Sequence, residues 1–501
     1  MPSVLIKNGL LYDGTGTAAR QASVLAQNGK IVRVGDCSKE KADTVLDATG
    51  AVIAPGFVDI NTDSDHYLSI FTEPEQKDFV RQGVTTIIGG NCGSSLAPLL
   101  THSLASIKKW GDPSHTNIDW RTVGEFLSVL ETQKLGVNFG TLVGHSTIRR
   151  GILGDTLRDL TDSELKMFER VLEDAYREGA FGFSTGLSYA HSRQTPAYEV
   201  HALALVTAKW KRMYATHIRE SEVGVVDAVD EALAVAVETG VNMEISHLQP
   251  RTSVVPLYDE VFEKIEKASA VSRVHFDVYP FDTLARAMYM FLPRWAQEGG
   301  VELMKEHVFS SMSEDRFLEY FKRYEKKEII IGHVQDASLR FLEGKPLREF
   351  AKNQGVKIPM AFLRLMRMTR LAGTIFFRDV DLEALTKAMT RSQAIIASNG
   401  ASFGDRDFKH ERNYDSFPTF LNLVHAKKIM PMENAISKIT RIPAETYGIL
   451  GRGIIKAGAW ADIAVLGNNW KPLHTMVNGV VALRDGEPQK TLSGAVLQPN
   501  V

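Results

Sequence analysis

A chain of 501 residues is long enough for two to four domains, or for one large barrel with an accessory piece. Hydrophobic residues at 44% and charged residues at 24% are the balance of an ordinary soluble globular protein, and 58 Lys+Arg against 60 Asp+Glu leave a formal net charge of −2, which argues against nucleic acid as a main partner. No apolar run reaches the roughly 18–20 residues of a membrane span, the first residues lack a basic region followed by an apolar stretch, and Cys37 and Cys92 are too few for a disulfide framework, so the expectation is a cytoplasmic protein with no membrane partner.

Residues 1–54 read as the first part of a small β-domain. Short apolar runs alternate with Asn8-Gly9, Asp13-Gly14 and Asn28-Gly29, and the last pair predicts a tight hairpin because a type I′ turn needs two positive φ angles. Residues 441–501 repeat that texture, with a strand over 461–466 and a hairpin at Asn478-Gly479, so both ends are expected to join in one β-sandwich. Between them, 55–440 runs strand, loop, helix. The predicted strands are 52–60, 85–90, 138–145, 181–186, 213–218, 242–248, 274–280 and 394–400. The clearest helix spans 163–178: Thr161 and Glu164 form a capping box, Phe168, Leu172, Ala175 and Tyr176 share a face, and Gly179 marks the stop. A second helix is expected over 222–238. Strands alternating with helices at this count predict an α/β fold, a (β/α)8 TIM-type barrel. The gap before the last strand exceeds one helix, so an insertion is expected at about 282–375, in the manner of a lid.

In such a barrel the carboxyl ends of the strands carry the chemistry. Those ends here hold Asn61 and Asp63, Cys92, His145, Thr185, His217, His247, Tyr279 and Asn399. A thiolate from Cys92 and imidazoles from His217 and His247 make a good zinc set with a fourth position for water, which ionises near neutral pH and attacks a carbonyl that the metal also polarises. Read singly, each is more often a satisfied core residue, or for Cys92 a small buried hydrophobe; three at equivalent strand ends favour the metal. His145 either orients substrate or bonds a neighbouring loop. Among cations, Arg219, Arg251, Arg286 and Arg412 are candidates to hold a carboxylate in a bidentate grip, and each is otherwise a rim or ion-pair residue. The stretch 291–295 serves as an apolar lid or as core of the insertion, with core favoured.

Several runs together resemble a known family. Ala54-Pro55-Gly56-Phe57-Val58-Asp59 followed by Asn61-Thr62-Asp63 looks like the first barrel strand of the amidohydrolase superfamily. Gly90-Asn91-Cys92-Gly93, Gly144-His145-Ser146, Ser184-Thr185-Gly186-Leu187-Ser188-Tyr189, Thr216-His217-Ile218-Arg219-Glu220, Ser246-His247, Asp277-Val278-Tyr279-Pro280 and 410–418 resemble its D-aminoacylase branch, the N-acyl-D-amino-acid deacylases. That resemblance implies a zinc-dependent hydrolase of small N-acyl amino acids, with Cys92, His217 and His247 as ligands of the tightly held metal. It also implies Tyr189 as a substrate contact and places Arg219 in the same strand-end motif.

The chain departs from that pattern at its chemical centre. Where the family carries two histidines after the first strand, this sequence has Asn61 and Asp63; a carboxylate is an adequate zinc ligand and an amide a poor one. Where the family carries a catalytic aspartate on the last strand, this sequence has Asn399, which cannot act as a base. A lysine two places after the second metal histidine is Gln249. One account keeps catalysis: one zinc rather than two, with Asp63 as a further ligand, or with Asp63, Asp65, His66, Asp405 or Asp407 as the base. A second account makes the barrel a silent binder of a small ligand or a scaffold. A third runs a different, metal-free reaction. Oligomeric state stays open, with a homo-oligomer allowed.

Overall fold

The stretch predicted as one strand over 52–60 divides at Gly56. Residues Val52–Pro55 join one sheet and Phe57–Asp59 another. Gly56 donates its N–H to the Asp462 carbonyl at 2.8 Å, and a Cβ there would overlap the Thr85 side chain, so only glycine lets the chain step from one layer to the next. The structure is a computed structural model that describes residues 3–100, 106–113, 116–405 and 407–499.

Strands from both chain ends share one nine-stranded sheet. Val52–Pro55 lies between Val4–Leu11, in parallel, and Ile463–Leu466, antiparallel. The two predicted hairpins form, Arg20–Gln27 with Lys30–Gly35 and Pro472–Val477 with Val480–Arg484, and their turn residues Asn28 and Asn478 take φ of 52° and 49°. Val4, Ile6, Val24, Ile31, Ile53, Ile463 and Val465 form the apolar core of this sheet.

The barrel is parallel throughout. Phe57–Asp59 pairs with Val84–Gly89, which pairs with Asn138–Thr141. Val143–Gly144 continues that third strand and pairs with Gly182–Gly186, followed in order by Met213–His217, Asn242–Ile245, Val274–Val278 and Ala394–Ile396. A parallel bridge between Thr62 and Gly400, with Asp63 N–H donating to the Gly400 carbonyl at 2.7 Å, joins last strand to first. All strand ends therefore reach one rim.

The outer helices follow from the sequence pattern. Asp162–Arg177 starts on the reciprocal Thr161–Glu164 capping box and buries Phe168, Leu172, Ala175 and Tyr176. Val225–Thr239 ends on Gly240 at φ 69°. Before the last barrel strand the chain builds a three-stranded antiparallel sheet from Thr283–Ala287, Ile329–Val334 and Gly373–Arg378, with helices Gly300–Phe309, Glu314–Phe321, Leu347–Asn353 and Ile358–Met368. Phe291 is 2% exposed and packs against the rings of Tyr324, Phe362 and Phe377, so it is core of this inserted layer. Its neighbour Leu292 instead faces the pocket.

Candidate active site

Cys92 sits in a turn that the sequence forces into shape. Gly90 and Gly93 take φ of 75° and 77°, and Cys92 itself takes 51°, a conformation that a non-glycine residue adopts only under constraint. The constraint is hydrogen bonding. Asn91 donates its side-chain amide to the carbonyls of Ile60 (3.2 Å) and Ile88 (2.9 Å), and Gly93 N–H donates to the Ser184 hydroxyl at 3.0 Å. The turn is thus tied to the first, second and fourth barrel strands, and the thiol is aimed across the rim.

His217 ends its strand, and His247 follows the next one at φ 39°. Their rings meet edge to face at 4.4 Å, and Cys92 Sγ lies 3.3 Å from His247 Nε2. One ligating atom from each of Cys92, His217 and His247 falls within 4.8 Å of the others. The donor set fits a divalent cation. His217 Nδ1 is buried without a partner. Burial pushes the pKa of both imidazoles down, for His217 with help from His247 and Arg286, so both are in the neutral, ligating form. Burial, then Asp63, pushes the Cys92 thiol up; a dication held beside it would reverse that preference and favour the thiolate.

Asp63 stands apart from this triad. Its carboxylate lies 2.9 Å from His66 Nδ1 and 3.6 Å from Arg412 Nη2. Asn399, at φ 47°, lies between: with its nitrogen toward Asp63 (3.2 Å) and its oxygen toward Arg412 Nη1 (3.0 Å), both ends of the amide are satisfied. Burial opposes a charge on His66, but Asp65 and then Asp63 hold it cationic up to about 9. Asp63 therefore lies between two cations and an amide, in the region where the sequence lacks the expected histidines.

The pocket above is a cavity of about 310 Å³. Asp63, Cys92, Tyr189, Arg219, His217, His247, Asn399 and Arg412 all contribute to its wall. Tyr189 sets its ring edge to face on His217 at 5.1 Å, with Lys109 Nζ 3.8 Å from its centroid. Arg219 lines the cavity, yet its guanidinium is engaged by Glu231 at 2.6 and 2.9 Å and by the Thr195 carbonyl at 3.0 Å. His145 lies elsewhere: its Nε2 is 2.8 Å from Glu199 and its ring stacks on Phe168, a structural arrangement outside the pocket wall. Asp65 accepts from Gly90 N–H at 2.7 Å, Asp405 pairs with Arg81 at 2.6 Å, and Asp407 accepts from Gly404 N–H, so none of these three faces the cavity.

Four residues at or beside the cavity have no role legible in the sequence. Ser188, whose hydroxyl lies 2.8 Å from His217 Nε2, is inside a quoted motif and two residues past a strand end. Tyr279, under the Arg412 guanidinium at 5.7 Å, likewise ends a strand. Trp110 and Lys109 come from a loop with no periodicity, and nothing in its composition marks it.

Fold and site together define a class. The chain belongs to the amidohydrolase family, whose profile matches residues 44–477. It is similar to the D-aminoacylases within that family. N-acyl-D-aspartate deacylase and D-aminoacylase of Alcaligenes xylosoxydans xylosoxydans are each 28% identical to it over 92% of this chain, covering 85% and 87% of their own lengths. Among solved structures, the N-acyl-D-glutamate deacylase of Bordetella bronchiseptica, complexed with zinc and a phosphonate inhibitor, superposes with a TM-score of 0.84 at 26% identity over 99% of both chains. A D-aminoacylase structure superposes at 0.82 with 24% identity over 99% of both chains, a likeness of fold.

Proposed function

We propose that this chain is a metal-dependent amidohydrolase that cleaves the amide C–N bond of small N-acyl amino acids, those of D configuration by its similarity to the D-aminoacylases. The observation that carries this reading is the convergence of Cys92, His217 and His247 on one point at the strand ends, in the wall of one cavity. We assign one zinc to that triad, because the carboxylate that would help hold a second is already engaged by His66, Asn399 and Arg412. A divalent cation held there supplies Lewis acidity toward an amide carbonyl and toward water.

The chain's own groups do the rest. Arg412 is 4% exposed and keeps an unpartnered Nε, so it is placed to hold the substrate's α-carboxylate over the Tyr279 ring. Asp63 takes the proton from attacking water and passes it to the leaving nitrogen, the task an amide at 399 cannot perform. Asn399 and Arg412 fix the direction of that carboxylate. Tyr189 and Trp110 close one side of the cavity against water.

The test is hydrolysis of N-acetyl-D- and N-acetyl-L-amino acids by protein carrying measured zinc. Turnover of the D series that vanishes with chelation is expected. A second reading rests on Asn399: if zinc binds and N-acyl amino acids bind without turnover, the barrel is a binding protein. No helix among the described residues is long and apolar enough to cross a membrane. Two free cysteines accord with a cytoplasmic setting.

A further inference from the structure

Two regions of the pocket wall hold buried guanidinium groups whose donors lack partners. One is Arg412, within the Asp63 cluster. The other is Arg251, 7% exposed, whose Nε and one Nη have no partner. Its remaining Nη donates to the Ser221 hydroxyl at 3.1 Å. Arg286, from the strand Thr283–Ala287 of the inserted layer, reaches the same hydroxyl at 3.4 Å. No carboxylate pairs with Arg251 among the described residues. The carboxylate nearest Arg286 is that of Glu222, 3.6 Å away and half exposed. The shared Ser221 hydroxyl puts the two guanidinium groups side by side, on the wall of the same cavity that Cys92, His217 and His247 line.

The buried Arg251 guanidinium has no counter-ion, which is unfavourable, and the partly exposed Arg286, whose one carboxylate is Glu222, sets a second positive charge beside it. An anion between them removes the penalty. A carboxylate presents two oxygens that match the planar forks of both side chains. The substrate's α-carboxylate is already assigned to Arg412, so the second pair asks for a second anionic group on the same molecule.

Resting on the hydrolase reading above, we propose that the substrate is a dianion: an N-acyl amino acid with a second carboxylate, received by Arg251 and Arg286. That carboxylate comes from the amino-acid side chain or from the far end of a dicarboxylic acyl group. A monoanionic analogue of the same shape, without the second carboxylate, leaves those donors unpaired, and a site built for a polar group rejects a partner that lacks it.

The experiment measures binding to zinc-loaded protein by calorimetry with sulfonamides, which are not hydrolysed. One pair compares N-methylsulfonyl-D-glutamate with N-methylsulfonyl-D-glutamine. The other compares N-(2-carboxyethylsulfonyl)-D-alanine with N-propylsulfonyl-D-alanine. In one pair the dianion is expected to bind about tenfold or more tightly than its monoanionic counterpart, as two charge-assisted hydrogen bonds warrant; that pair names the source of the carboxylate. The advantage should shrink to about threefold or less in Arg251→Gln and in Arg286→Gln. Equal affinities within both pairs of wild-type protein overturn the proposal without recourse to any variant, and so does an advantage that survives both substitutions. Turnover of N-acetyl-D-glutamate is scored separately. A dianion preference without turnover removes the hydrolase and keeps the anion site, and turnover without preference does the reverse.

Discussion

The Asp63 carboxylate and the Arg412 guanidinium face each other at 3.6 Å, with the Asn399 amide bonded to both. They come from opposite ends of the barrel sequence and meet only because the Thr62–Gly400 bridge closes it. If Asp63 is the proton acceptor, Asp63→Asn should lower kcat by about 100-fold or more, the usual contribution of a general base, with zinc content unchanged. A drop in kcat that parallels a drop in zinc would instead make Asp63 a ligand.

Exchanging the two side chains extends that argument. In the double variant Asp63→Asn, Asn399→Asp the carboxylate still contacts Arg412 and the amide still lies beside His66, so the pairings are kept. Its kcat should exceed that of Asp63→Asn by about tenfold, a fraction of the full general-base effect. A double variant as slow as the single one would show that the position of the carboxylate, and not its presence, sets the rate.

Zinc content separates the triad from its neighbours. Wild-type protein should carry about one equivalent, and loss of any one of three ligands should release it. Cys92→Ala, His217→Ala and His247→Ala are therefore expected to be metal-poor. His145→Ala should keep its zinc, because that imidazole is bonded to Glu199 outside the pocket. Metal analysis after gel filtration reads this directly, and a zinc-free wild type under zinc-replete conditions would remove the centre altogether.

Much of this was legible in the residues. The barrel strands announce themselves because apolar strand bodies end in Cys, His, Asp and Asn. What stayed hidden depends on long-range closure. Arg219 looks like a free cation until the helix Val225–Thr239 brings Glu231 against it. Asp63 looks like a vacant ligand until Arg412 arrives from the other end of the barrel. The break at Gly56 is invisible in hydropathy, since both halves of that stretch are buried strand; only the Asp462 and Thr85 contacts reveal it. The folded content of 283–378 likewise has no local signal, because its short helices and antiparallel strands stabilise one another.

Asp59 gives a pH test of the barrel interior. It is fully buried, and burial raises its pKa from 3.8 to about 7, with Asp277 adding to the rise and the N–H groups of Ser398 (3.1 Å) and Asn61 (3.3 Å) opposing it. A carboxyl whose pKa is raised on folding favours the folded state fully below pH 3.8, and that contribution is lost as pH rises through about 7. Asp59→Asn keeps the accepting oxygen and cannot ionise. Its melting temperature should gain on the wild type between pH 5 and 8, by an amount reflecting on the order of 1–4 kcal/mol for a shift of that size. Parallel curves for the two proteins would mean that Asp59 does not titrate in this range.

Gly186 tests how tightly the Cys92 turn is held. A methyl added there would overlap the Cys92 carbonyl and meet the Tyr189 ring at 2.6 Å. The ring has room to turn, but the carbonyl belongs to a backbone fixed by Gly90, Asn91 and Gly93 and has none. Overpacking of this kind costs about 1–3 kcal/mol. Because the displaced group carries the thiol, Gly186→Ala should lower both melting temperature and zinc affinity, and added zinc should recover part of the stability by mass action. A variant that is less stable yet binds zinc as tightly as wild type would show that the turn shifts as a rigid piece and that the thiol is aimed by something other than the backbone beneath it.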